Sequence, residues 1–204
     1  MNISSSPCRA LGALALAGAF TLTASAKDLK AGDQAPDFSV KASDGKTYTL
    51  KQFQGKQAVV IAWFPKAFTG GCTAECDSFR SKGVKEGYTF NMAGNRKFEV
   101  KARPEGSGLD QYDVAFFTAS CDTPEMNAKF AKELQLDYPI LSDSSRKMAT
   151  AYGVVDAKQK VPRRYTFIIG KDGRILEVDT AQNTAGHGAE VAGKLAKYGV
   201  PKKH

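Results

Sequence analysis

Cys72 and Cys76 stand four residues apart, shortly after the run Val59–Val60–Ile61–Ala62–Trp63–Phe64, which is apolar throughout and begins with three β-branched residues. Such a run reads as a strand buried on both faces. Pro65 and Gly70–Gly71 break it into a loop, and Thr73, Ala74 and Glu75 suit a first helical turn, with an acid where the helix dipole favours one. Cys72 therefore falls where a buried strand hands over to a helix N-terminus. Backbone N–H groups without intrahelical partners lie there, and they stabilise a thiolate. The thiolate is the reactive form of cysteine, and a free thiol is only a few per cent ionised at neutral pH. Residue type and position together point to nucleophilic or redox chemistry at sulfur.

Other chemistries find less support. The two histidines, His187 and His204, form no Cys/His cluster at ligand spacing, so no metal is expected. His187, near the start of the last helix, reads as a structural or surface residue. No Gly-rich phosphate loop follows a strand, and Lys171–Asp172–Gly173 is a hairpin turn, so no nucleotide or other cofactor is indicated. The net charge of +8 is spread along the chain, with local concentrations only at Lys160 to Arg164 and Lys202 to His204. A solvated basic surface explains it better than a nucleic-acid or membrane site. With 25% charged and 42% hydrophobic residues over 204 positions, the chain suits one globular domain with a proper core.

Residues 1–26 read as a cleavable signal peptide. Met1 to Arg9 carries one positive charge and no acid, Ala10 to Ala24 is small and apolar, and Thr23–Ala24–Ser25–Ala26 offers a cleavage site. The expected product is an exported protein, periplasmic or secreted, of residues 27–204 with no membrane span; an organellar lumen is the alternative. Cleavage removes Cys8 and leaves Cys72, Cys76 and Cys121. Three cysteines in a domain of this size make cysteine chemistry a better explanation than a disulfide framework.

The elements that position these residues follow in order. Ser39–Val40 and Lys46 to Thr49 flank a Ser43–Asp44–Gly45 turn as a hairpin. The buried strand spans about 57–64 and the helix after it 73–81. Tyr88 to Asn91 and Lys97 to Lys101 alternate around a Met92–Asn95 turn as a second hairpin, and Pro104 to Gly108 reads as a flexible connector. Asp113 to Ser120 is a buried strand. Thr123 can cap a helix with Pro124 in its first position, and Met126, Phe130, Ala131 and Leu134 keep helical spacing toward a core. A short strand at 138–143, a helix at 146–152, a hairpin at 164–178 and a helix at 188–198 complete the chain. This order fits an α/β fold with a central mixed sheet flanked by helices.

Pro65-x-x-x-Thr69-x-x-Cys72 resembles the signature of the peroxiredoxins, in the branch of the alkyl hydroperoxide reductase/thiol-specific antioxidant group that contains the bacterioferritin-comigratory, or Q-type, proteins. The landmarks Gly32-Asp-x-Ala-Pro-Asp-Phe38, Leu141–Ser142–Asp143, Tyr152–Gly153–Val154 and Arg164-x-Thr166–Phe167 occur in the family's order. The resemblance covers nearly all of 27–204 except about 84–108, which is expected to be an insertion, and it implies a thioredoxin-like fold.

The resemblance also implies roles. Cys72 is the peroxidatic cysteine, attacking hydrogen peroxide or an alkyl hydroperoxide. Thr69 directs its hydroxyl at the sulfur and the peroxide, Pro65 shields the thiolate, Arg164 contacts both, and Glu75 orients the arginine. Q-type relatives often carry a resolving cysteine five residues on; here the spacing is four, so a Cys72–Cys76 disulfide requires the first helical turn to unwind. Otherwise Cys76 is a buried small side chain and an outside thiol resolves. Cys121 is expected to be buried and inert. A thioredoxin-like reductant, no metal or cofactor, and a monomer or weak homodimer complete the expectation. The rival readings are an exported thiol–disulfide oxidoreductase of the same fold and a non-enzymatic redox sensor.

Overall fold

The structure, a computed structural model, describes Met1, residues 28–180 and residues 183–203. The segment expected to be a signal peptide lies outside the described residues, apart from Met1. In chain order the elements are β1 (Ser39–Lys41), β2 (Thr47–Thr49), β3 (Ala58–Trp63), α1 (Gly70–Ser78), β4 (Lys82–Val84), β5 (Tyr88–Asn91), β6 (Lys97–Val100) and β7 (Arg103–Glu105). Then follow β8 (Val114–Ser120), α2 (Pro124–Glu133), β9 (Ile140–Ser142), α3 (Lys147–Ala151), β10 (Thr166–Ile169), β11 (Ile175–Asp179) and α4 (His187–Lys197).

The central sheet runs β11-β10-β3-β8-β9. β3 and β8 are parallel, as are β8 and β9, while β10 lies antiparallel to both β3 and β11. Strand alternation divides the core into two layers. Val59, Ile61 and Trp63 of β3 pack with Met148, Ala149 and Tyr152 on one face, beside the β1–β2 hairpin. Val60 and Ala62 pack with Val191, Ala192 and Leu195 of α4 on the other. Every residue of β3 is buried, which is why it reads as an unbroken apolar run. This is the mixed, thioredoxin-like sandwich expected. Among the described residues, no helix is long and apolar enough to cross a membrane.

Three local expectations change. α1 begins at Gly70, three residues before the expected start, so Cys72 lies inside its first turn. The connector at 104–108 is partly strand: β7 pairs antiparallel with β4, Lys82 opposite Glu105 and Val84 opposite Arg103. Glycine permits that pairing, because a Cβ on Gly83 would meet the Pro104 carbonyl at 2.3 Å and one on Gly106 the Ser81 carbonyl at 2.0 Å. Met126 faces solvent, and Asn127 takes the buried position, donating to Ser120 and Ser142 hydroxyls at 3.0 and 2.9 Å. The Thr123 cap is present, its hydroxyl accepting from Met126 N–H at 3.2 Å.

The hairpin β5–β6 does not stand apart from the domain. Phe90 and Val100, with Val84, bury against Phe64, Phe68, Cys72, Cys76 and Phe130. The segment 84–108 thus forms one wall around α1.

Candidate active site

Thr69 is the N-cap of α1, with extended backbone, and the first intrahelical bond runs from Thr73 N–H to the Thr69 carbonyl at 2.8 Å. Cys72 is the third helical residue, so its own N–H and those of Gly70 and Gly71 precede the helical ladder. Two glycines are poor helix formers in an interior, but in a first turn they lose little and they leave room. A Cβ on Gly71 would lie 3.6 Å from Arg164 Nη2. That guanidinium nitrogen donates to Cys72 Sγ at 3.4 Å, and Arg164 Nη1 donates to Glu75 Oε2 in a close ion pair. Burial works against the charge on Arg164, but Glu75 and the Cys72 sulfur outweigh it and hold the guanidinium protonated. Cys72 itself is 2% exposed.

Glu75 sits one turn beyond the cysteine and faces inward, its side chain 2% exposed. Its Oε1 meets His187 Nδ1 at 2.8 Å, and His187 Nε2 meets Asp179 Oδ2 at 3.2 Å. His187 opens α4 and is buried, with Phe79 at 5.1 Å between ring centroids. It is structural in the sense expected, and it is also a direct neighbour of the site. Arg163 points elsewhere, pairing with Asp156 at 2.5 Å on a half-exposed surface.

Thr69 is placed differently from expectation. Its hydroxyl donates to the Lys66 carbonyl at 2.9 Å and closes the loop 66–69 on itself. The Thr69 carbonyl in turn receives the Thr73 hydroxyl at 2.7 Å. Pro65 lies two residues beyond the end of β3 and is half-buried. Phe68 adopts a left-handed conformation, φ 60°, which a bulky residue takes only when its surroundings hold it there. They do so here: its ring packs 4.9 Å from Phe130, and its carbonyl accepts from Ala93 N–H of the β5–β6 turn at 3.3 Å.

Cys72, Cys76 and Cys121 are all free thiols. Cys76 is completely buried, and burial first, then the charges of Glu75 and Cys72, push its thiol well up. Tyr138 donates to the Cys76 carbonyl at 2.6 Å, fixing that part of the helix. Cys121 is half-buried rather than buried; burial and Asp143 push its thiol up to about 12, which leaves it inert at neutral pH. Among the described residues, no group of three or more His, Cys, Asp or Glu side chains could hold a metal ion.

A nucleophile at a helix N-terminus, contacted by an arginine that a buried carboxylate holds, suits attack on a polarised bond. The profile of the Redoxin family matches residues 30–195. Peroxiredoxin Bcp of Escherichia coli is 32% identical over 165 residues, an alignment that covers 78% of this chain and 90% of the relative. The chain is a peroxiredoxin of the Redoxin family. Peroxiredoxins are thiol peroxidases, so the protein is an oxidoreductase. Solved structures agree on the fold. Xylella fastidiosa PrxQ superposes with a TM-score of 0.66 at 21% identity, covering 85% of this chain and 99% of that one. The bacterioferritin comigratory protein of Xanthomonas campestris, described for its alkyl peroxide reduction activity, superposes with a TM-score of 0.62 at 20% identity, covering 82% and 98%.

Of the residues singled out in the sequence of this peroxiredoxin, Cys72, Glu75 and Arg164 converge within hydrogen-bonding reach. Pro65 and Thr69 shape the loop in front of them, and Cys76 lies beneath. Asp179 went unnoticed as a member of the site. Only its place at the end of a strand, eight residues before the one histidine of the last helix, could have suggested it.

Proposed function

We propose that Cys72 is the peroxidatic residue of this peroxiredoxin and that hydrogen peroxide and small alkyl hydroperoxides are its substrates. The observation that carries this is the Arg164 guanidinium, divided between the Cys72 sulfur and the Glu75 carboxylate. The Cys72 thiolate attacks the terminal peroxide oxygen, and the O–O bond breaks. Sulfur is oxidised by two electrons to a sulfenic acid, and the departing alkoxide or hydroxide takes a proton from solvent. Arg164 lies where negative charge develops on both oxygens. A cysteine only 2% exposed admits a small peroxide more readily than the disulfide of a folded protein, which disfavours a thiol–disulfide oxidoreductase.

Cys76 then attacks the sulfenic sulfur as a thiolate, displacing hydroxide that leaves as water, and forms a Cys72–Cys76 disulfide. Adjacent helical turns do not allow that bond, and Cys76 is buried, so α1 must open first. A thioredoxin-like dithiol returns two electrons and restores both thiols. The apolar, acid-poor residues 1–26 support export of the enzyme.

Stopped-flow oxidation of reduced protein by hydrogen peroxide tests the assignment, with Cys72→Ser and Cys76→Ser in parallel and mass spectrometry of the products. The expected result is fast oxidation lost only in Cys72→Ser, and a Cys72–Cys76 disulfide in the wild type. Oxidation no faster than that of a free thiol would overturn the assignment; a mixed disulfide with added thiol in its place would show that an external thiol resolves.

A further inference from the structure

The ionic contacts of the site do not end at Glu75. They continue through His187 and Asp179 to Lys194, whose Nζ lies 2.6 Å from Asp179 Oδ2 and 2.6 Å from Glu177 Oε1. We propose that His187 and Asp179 are positioning residues for peroxide reduction: His187 bridges the Glu75 and Asp179 carboxylates, fixes Glu75, and through Glu75 holds the Arg164 guanidinium against the Cys72 sulfur. The inference rests on Cys72 being the peroxidatic residue.

Three observations carry it. Glu75 divides its oxygens, Oε2 to Arg164 and Oε1 to His187, so its carboxylate plane is set only while both partners are present. A carboxylate held by a single flexible arginine rotates with it. The ring of His187 cannot follow such a rotation, because the start of α4 is seated on the end of α1. Gly188 N–H donates to Ser78 Oγ at 3.2 Å, and a Cβ on Gly188 would meet the Ser78 carbonyl at 2.1 Å. The charges also alternate. Cys72 as thiolate, Glu75 and Asp179 are negative; Arg164, an imidazolium at His187, and Lys194 are positive.

A neutral imidazole has one N–H and would turn a lone pair toward one of two carboxylates. The surroundings prevent this near neutrality. Burial works to lower the His187 value, but the hydrogen bonds to Asp179 and Glu75 outweigh it and raise it to about 9. The charged groups facing the ring are Glu75 from α1 and Asp179 from β11. Arg164 stands beyond Glu75, and Lys194 of α4 beyond Asp179.

The test is the second-order rate of Cys72 oxidation by hydrogen peroxide from about pH 6 to pH 10, for wild type, His187→Gln, Asp179→Asn and Asp179→Glu. Folding of each is checked by circular dichroism, and Cys72→Ser identifies the reacting sulfur. Wild type is expected to lose about tenfold or more in rate as pH rises through about 9. His187→Gln should be about tenfold slower near neutrality and lack that alkaline decline. Asp179→Asn, with one carboxylate fewer around the ring, should move the decline about one pH unit lower, and Asp179→Glu should restore it. Wild-type rates and an unmoved decline in folded variants would make the pair purely structural and overturn the inference. A wild-type profile that stays level to about pH 10, beside lost oxidation in Cys72→Ser, would overturn it without touching the Cys72 assignment.

Discussion

Arg164 serves two partners with one rigid fork, and that geometry separates it from any other cation. Lysine offers a point charge on a flexible stem and cannot hold a carboxylate and a sulfur at once. Arg164→Lys should therefore slow Cys72 oxidation while leaving the fold intact. A charge-assisted hydrogen bond lost in the transition state, worth about 2 kcal/mol, corresponds to roughly thirtyfold in rate. Stopped-flow rates near neutral pH decide it, and a variant within about twofold of wild type would mean that net charge alone suffices. At this scale the sequence was partly legible. Cys72 declares itself by type and by its position between a strand and a helix start, and the resemblance to the peroxiredoxins points to Glu75 and Arg164. His187 does not, because its two partners, Glu75 and Asp179, come from different elements and the nearer in space is 112 residues away in the chain. Thr69 was legible as a loop residue beside the sulfur, but the direction of its hydroxyl depends on a local turn that spacing does not encode.

Helix α1 carries both cysteines of the proposed cycle, and the segment 84–108 holds it shut. Arg103 of β7 reaches Asp77 with both terminal nitrogens, at 2.7 and 3.3 Å to the carboxylate, and its Nη2 also takes the Asp77 carbonyl at 2.7 Å. Ser107 adds a backbone bond to the Arg80 carbonyl at 2.8 Å and a hydroxyl bond to the Phe79 carbonyl at 3.1 Å. The carbonyls at the end of α1 are thus satisfied by residues of a segment that reads, in sequence, as hairpin and linker. The hairpin itself was legible from alternation. The β4–β7 pairing was not, since Pro and Gly at 104 and 106 are the usual marks of a connector, and only the close approach of two backbones explains Gly106. Arg103→Ala should raise the opening equilibrium of α1. The pair is partly exposed, so about 1 kcal/mol is lost, or roughly fivefold. Hydrogen exchange over 70–78 should quicken by that factor, and the Cys72–Cys76 disulfide should form faster after oxidation. Unchanged exchange would show that α1 opens without releasing β7.

On the scale of the whole molecule, the ionic chain from Arg164 to Lys194 ties the loop before β10, α1, β11 and the face of α4 across one layer of the sandwich. That the sheet is covered on both faces was legible from β3, apolar at odd and even positions alike, whereas a charge chain assembled from separate elements leaves no periodic trace in sequence. Its consequence is a stability that depends on pH in a definite window. The folded state raises His187 from its ordinary value near 6.5 to about 9. A group so raised contributes in full below the unfolded value, and its contribution is lost as pH rises through the folded one. Lys194 is also raised, against burial, by Asp179 and Glu177, but its unfolded value is 10.5, so its contribution persists across the interval in which that of His187 disappears. Between about pH 6.5 and pH 9.5 the protein should therefore lose on the order of 3 kcal/mol, seen as a falling urea midpoint. His187→Gln, less stable at the acid end, should lose most of that slope and keep only the decline above about pH 9 that the raised thiols of Cys76 and Cys121 give. A wild-type midpoint that holds level across that interval would mean that Glu75 and Asp179 bind a neutral ring, and that the charge of Arg164 and Lys194 is enough to balance them.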